Sequence, residues 1–356
     1  MHDGTLKFYR RSLIAVAGLA VVMLSGCASA RLEASAWQDK SVDMVWPKAP
    51  EKARVRLLRV IDGPNSVLKS EKGMFGRIFE YLSGDNSEYP GFFTPHCMAT
   101  DGGGTIYIAD PSLGVVHKYD LAAHEVSYIF QADSKKLGSP VGVALDNSGN
   151  LYVSDAQLAT VFKFDSKLRL ISELDSQGRF RRPAGIAITS KGTKIVADMS
   201  ANKLFLFSAD DSFLSELPGS DFTEVLNMPS YVAIDKDDFV YVTDAMNFTI
   251  RVFDAQGKYV RSLGQVGDSP GSFARPKGVA VDSEGHLYVL DAIFGIFQIF
   301  NKQGQLLLYV GQEGVRPGEM MLPSGIFIDK DDRIYVADTF NHRLQVFQYL
   351  KEGEVK

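Results

Sequence analysis

Residues 53–350 are expected to fold as an all-β, six-bladed propeller with four-stranded blades, and three observations carry that expectation. Six aspartates, Asp110, Asp155, Asp198, Asp244, Asp291 and Asp338, close short apolar runs at separations of 45, 43, 46, 47 and 47 residues. That is the period of a four-stranded blade rather than of a helical hairpin or an α/β unit. A proline opens each repeat (Pro95, Pro140, Pro183, Pro229, Pro276, Pro323), and runs rich in Val, Ile, Phe and Tyr recur between turn signals, as short strands require.

Each element of the repeat has a local cause. The first hairpin has the form D-x-x-G-x-apolar-Y, as in Asp146–Tyr152, and its fourth residue needs positive φ. Gly104, Gly149, Gly192 and Gly285 supply it, with Asp238 and Asp332 as tolerable substitutes. The aspartate ending each second strand can accept backbone N–H groups of the following turn, so all six read as structural. The apolar residue three before each proline (Phe92, Leu137, Phe180, Leu226, Phe273, Met320) is placed to pack one blade on the next. The sixth copy ends at Leu350 without a fourth strand, whereas Arg54–Ile61 (RVRLLRVI) is a strand without a blade. Pairing the two closes the ring and removes its open edges.

The run Pro-x-Gly-apolar-Ala/Phe-apolar-Asp, followed by Ile-Tyr-Val-Ala-Asp-x-x-Asn-x-Arg, resembles the NHL repeat of six-bladed β-propellers over Pro95 to about Tyr349. Copy six matches nearly throughout, with Asn341 and Arg343 in place; copies one to five carry Val115, Thr160, Lys203, Thr249 and Ile296 at the arginine position. The resemblance implies the fold. Propellers of this kind serve as enzymes, ligand binders and docking platforms, so activity must be argued from the site.

Upstream, Lys7, Arg10 and Arg11 precede the uncharged run Leu13–Leu24 and then Ser25-Gly26-Cys27. This reads as a bacterial lipoprotein signal over residues 1–26, with Cys27 lipidated as the mature N-terminus; a plain membrane anchor helix is the alternative. Ala28 after the cysteine implies the outer membrane by analogy with enterobacterial sorting, and hence a periplasmic or surface-exposed protein. Residues 27–52 are expected to be a tether, residues 62–94 an insertion with a short amphipathic helix (Met74, Phe75, Ile78, Phe79, Leu82) acting as a lid, and 351–356 a tail. The chain carries a net charge of −5, and its leader is basic, so the mature domain is more acidic still. With no basic run, a nucleic-acid partner is not expected. Cys97 has no second cysteine to pair with once Cys27 is lipidated, and no haem motif occurs.

The residue after each proline rims the channel mouth: His96, Val141, Ala184, Ser230, Lys277 and Ser324. The chain also resembles peptidyl-hydroxyglycine amidating lyases, which place a zinc-binding His there in three blades; here only His96 stands in such a position, and a catalytic zinc needs more ligands. His96 and His342 are the metal candidates, and no cofactor is otherwise implied. The turns between strands two and three carry Leu113, Leu158, Met246, Phe248, Ile293, Phe294 and Phe340 where polar residues would cost less to leave in water. The expected working surface is this face, with His96, Lys277, Asn341 and Arg343. It suits a non-catalytic scaffold that binds an envelope protein or apolar ligand, with the membrane held through the N-terminal lipid. The alternative is a metal-dependent propeller lyase or hydrolase centred near His96.

Overall fold

The computed structural model describes residues 37–39, 41–68, 91–219 and 225–351. Cys27 and the expected helix at 74–82 lie outside the described residues. Six antiparallel sheets follow one another round the ring. Their innermost strands are Met98–Thr100, Pro140–Leu145, Pro183–Ile188, Pro229–Ile234, Pro276–Val281 and Ile326–Ile328, which line a central channel. All six hairpin positions that called for positive φ have it, from Gly104 to Asp332.

The ring closes as the missing strand required. Val55–Ile61 pairs antiparallel with Arg343–Tyr349, from Val55 opposite Tyr349 to Ile61 opposite Leu344. Val55, Leu57 and Ile61 are fully buried there. One element departs from expectation. Part of the segment read as a tether is a fifth strand, Met44–Trp46, on the outer edge of blade six. The indole of Trp46 meets the Phe347 ring edge-on at 5.7 Å, while Trp37 is buried against Tyr335 beneath the Arg333 guanidinium. Three apolar residues between polar stretches and two prolines are too short a strand signal to stand out, but an aromatic-lined edge was waiting for them.

The core is a set of six clusters, one between each pair of adjacent blades. Each contains one of the residues three before the prolines: Leu137, for instance, packs with Ala109 and Val116 of blade one and Val153 and Phe162 of blade two. The six aspartates are completely buried. Asp155 shows what they do: its carboxylate accepts the N–H groups of Gln157 (3.1 Å) and Leu158 (2.9 Å) in the next turn, and also those of Gly138 (2.7 Å) and Ser139 (3.0 Å) in the loop entering the blade. One carboxylate therefore ties the inter-blade loop to the turn between strands two and three. Hydrogen bonds to a charged acceptor are worth about 1.5–3 kcal/mol each, so these pins hold the whole face bearing the channel mouth.

Candidate channel-mouth site and apolar face

The glycine of the Pro-x-Gly run sits where neighbouring inner strands touch. A Cβ added at Gly142 would lie 2.1 Å from the Ala184 carbonyl oxygen, at Gly278 2.4 Å from the Ile326 nitrogen, and at Gly325 2.1 Å from the His96 carbonyl oxygen. Backbone meets backbone at this level, and only glycine fits. Two blades break the rule: Cys97 in blade one and Tyr231 in blade four, half a ring apart.

Their side chains enter the channel. The Tyr231 ring stacks on His96 with centroids 5.3 Å apart and planes at 15°. His96 Nδ1 lies 3.2 Å from the Val141 carbonyl oxygen, which requires Nδ1 to carry the proton. His96 Nε2 is therefore an acceptor, and the Tyr231 hydroxyl donates to it at 2.9 Å. Burial, reinforced by the charge of Lys277, pushes the His96 pKa down to about 4, so the ring is neutral at pH 7. Burial, and then the neighbouring Arg275 charge, lowers the pKa of Lys277 itself. Ser324 Oγ sits 3.1 Å from the carbonyl oxygens of Pro95 and His96 and 2.6 Å from Thr339 Oγ1, fixing the start of the first inner strand.

His96 and His342 are not brought together as metal ligands. His342 is exposed, its Nδ1 is 2.5 Å from the Phe93 carbonyl oxygen, and it stacks on the Phe93 ring. Both nitrogens of His96 are engaged, so the donor set does not fit a metal. Among the described residues no group of three or more His, Cys, Asp or Glu is placed to hold a metal ion.

Asn341 and Arg343 are likewise committed internally. Arg343 is buried, with Nε 2.7 Å from Asp338 Oδ2 and its remaining N–H groups on the carbonyls of Val315, Arg316 and Glu319. Asn341 donates to Asp338 and to the Gly314 carbonyl. Both latch the loop between blades five and six instead of facing a ligand. In blade four Arg251, two residues beyond the repeat's arginine position, reaches Asp244 in the same way at 3.0 Å.

The apolar turns divide. Met246, Ile293 and Phe340 are 50%, 47% and 60% exposed, and Leu113 is also exposed. Leu158, Phe248 and Phe294 are half-buried; Leu158 packs on the cluster between blades one and two, and Phe248 occupies a left-handed turn position with φ 53°. The same face gains further exposed apolar residues from the inter-blade loops: Phe93, Val225, Val266, Val315 and Leu322. Together these follow an arc over blades four, five, six and one. The other exposed large apolar residues among those described lie on or beside outer strands (Phe130, Ile171, Leu214, Val260, Leu307, Tyr309), and none lies at the D-x-x-G turns of the opposite face. The loop residues have no repeat position to mark them. Tyr231 does: it is legible as a break in Pro-x-Gly.

The channel holds a cavity of about 260 Å³. Its wall is formed by the later residues of all six inner strands, ending in a ring of Thr100, Leu145, Ile188, Ile234, Val281 and Ile328, each half-buried. Cys97 and Tyr231 stand at its inner end, and burial pushes the Cys97 thiol pKa up.

Comparison with known proteins agrees with this architecture. The profile of a family described as a 6-bladed beta-propeller matches residues 225–298, and that of the NHL repeat matches residues 320–347. No curated protein sequence matches the chain. Among solved structures it is similar to an auxiliary nutrient binding protein from Bacteroides ovatus, with a TM-score of 0.60 and 14% identity over 73% of this chain and 70% of that one. It is similar to a protein of unknown function from Bacteroides thetaiotaomicron (TM-score 0.60, 16% identity, 83% of this chain and 75% of that one). It is also similar to virginiamycin B lyase from Staphylococcus aureus (TM-score 0.53, 12% identity, 73% of this chain and 98% of that one). At these identities the likeness is one of fold.

Proposed function

Taking the chain as an NHL-repeat six-bladed β-propeller, we propose that it is a binding scaffold of the bacterial cell envelope. It docks a partner protein on the face that carries the channel mouth, and is held at the outer membrane by lipid on Cys27. The observation that carries this reading is the one-sided distribution of exposed apolar side chains. Monomeric soluble proteins rarely expose contiguous apolar patches beyond a few hundred Å², and larger ones mark contact surfaces. Burying Met246, Ile293 and Phe340 would contribute roughly 1.5–3 kcal/mol each, enough for these three to dominate an interface. The likeness to nutrient binding proteins supports a binding role, and the engagement of both His96 nitrogens favours it over a metal-dependent lyase or hydrolase.

The test replaces Met246, Ile293 and Phe340 together by Ser in the full-length protein. Loss of the partners that co-purify with the wild-type chain, at an unchanged melting temperature, is the expected result. Retention of the same partners would overturn the assignment of this face, and a large loss of stability would show that the three side chains serve the protein's own core.

A further inference from the structure

We propose that the partner seated on the mouth face presents an acidic side chain to the channel mouth, where Lys277 and Arg275 receive its carboxylate. The inference rests on the docking reading above and gives the partner a chemistry: a polypeptide surface with a carboxylate set among apolar residues. Nearest the mouth, each blade supplies the two residues before its proline, the one after it, and the four that follow its closing aspartate. Those positions hold Arg181, Arg182, Arg275 and Lys277, and not one Asp or Glu. At the other end of the blades Asp101, Asp146, Asp235, Asp282 and Asp329 open the D-x-x-G turns. A chain with a net charge of −5 therefore turns a positive rim outward at the mouth.

The two cations of blade five are also unmatched. Each buried Lys or Arg among the described residues faces a carboxylate: Lys194 that of Asp211, Arg251 that of Asp244, Arg333 that of Asp329 and Arg343 that of Asp338. Lys277 is half-buried and Arg275 exposed, yet among the described residues neither side chain has an ion-pair partner. The closing aspartate of their own blade is committed elsewhere, since Asp291 is fully buried and accepts the N–H groups of Ala274 at 2.7 Å and Arg275 at 3.2 Å. Burial and the Arg275 charge already loosen the hold of Lys277 on its proton, and a carboxylate brought beside it would restore that hold.

The backbone joins these cations to the apolar arc. The Ala292 N–H donates to the Arg275 carbonyl at 3.0 Å, which sets Arg275 beside the turn that carries Ile293. The same bond recurs in the flanking blades, from Met246 to Asn227 and from Phe340 to Met321, each at 3.1 Å. Whatever covers Met246, Ile293 and Phe340 therefore also takes water from Arg275 and Lys277. A wholly apolar partner would leave both charges desolvated and unpaired, and a basic one would be repelled. A carboxylate at that point pairs them and fixes the register of docking.

The probe is poly-L-glutamate, which carries the carboxylates and no apolar side chain. It reports the cations alone, so its failure strikes this inference and leaves the apolar test of the docking face standing. In the full-length protein, acetylation of Lys277 by acetic anhydride is followed at the level of the peptide, with exposed Lys236 on the opposite face as the internal reference. Poly-L-glutamate should slow labelling of Lys277 and not of Lys236, and acetate at the same carboxylate concentration should not. The protection should fade as salt rises from about 0.05 to 0.5 M, because screening shortens the reach of exposed charges. Arg275→Gln, a change at an exposed position, should weaken it about threefold, within the range of one exposed ion pair. No protection of Lys277, equal protection by acetate, an effect indifferent to salt, or an undiminished effect in Arg275→Gln would each overturn the proposal. Protection by phosphatidylglycerol vesicles and not by poly-L-glutamate would overturn it in favour of a membrane surface.

Discussion

Gly325→Ala should destabilise the propeller through a single methyl group. Gly325 is not among the residues with positive φ, so alanine is conformationally acceptable there and the effect is one of space alone. The new Cβ would stand 2.1 Å from the His96 carbonyl oxygen and 3.2 Å from the Cys97 Cα, and both are backbone atoms of the neighbouring blade. No side chain can rotate away, so two inner strands must move apart. Overpacking of this kind costs about 1–3 kcal/mol, and the lower entropy of the unfolded alanine chain offsets about 0.4–1 of it. A net loss of about 1.3 kcal/mol, the difference between the midpoints, corresponds to a melting temperature lower by roughly 3–5 °C, using the slope for domains of 150–250 residues. Gly91→Ala is the control: no atom lies within 4 Å of its Cβ. Differential scanning calorimetry of the two variants decides the matter. A Gly325→Ala protein melting within about 1 °C of wild type would refute the view that backbone contact pinches the channel.

Three other outcomes can be tested, the first two from the structure and the third from the sequence. Leu57→Ala, in the strand that closes the ring, should cost about 2–5 kcal/mol in chemical denaturation, because Leu57 is fully buried against the cluster that includes Phe347 and Met320. His96 is lowered from 6.5 to about 4 on folding, so between those values the unfolded chain binds the proton and the folded one does not; stability attributable to His96 is full above pH 6.5 and is lost as pH falls toward 4. Discounted for partial exposure this is about 2 kcal/mol, and His96→Asn should flatten the wild-type slope in that window when the two denaturation series are compared. Cys27→Ala should abolish metabolic acyl labelling, and a variant that is still labelled would remove the lipid anchor from the proposal.

Much of the fold is legible because every blade repeats it. The six prolines, six aspartates and six positive-φ turns are local signals, and each recurs often enough to be separated from chance. The aspartates were legible only by half. Their Asx-turn bonds to the next two or three residues are local, but their bonds to N–H groups 16 and 17 residues upstream, as from Asp155 to Ser139 and Gly138, exist only once the loop has folded back. Asn341 and Arg343 look like rim residues because they match the repeat so well, yet matching the repeat is what marks them as a latch. The distinction between exposed Ile293 and half-buried Phe294 is equally invisible in an apolar count. Consecutive residues of a tight turn point to different sides, and only the backbone says which is outward.

The site itself is most legible where the repeat fails. Gly142, Gly185, Gly278 and Gly325 are dictated by the contact between inner strands, so a different residue at that position has to place its side chain in the channel. Cys97 and Tyr231 do so from opposite blades, and the size of Tyr231 lets it reach His96 across the ring. Tyr231 and His96 thus meet inside the channel, next to a cavity lined by the later residues of the inner strands.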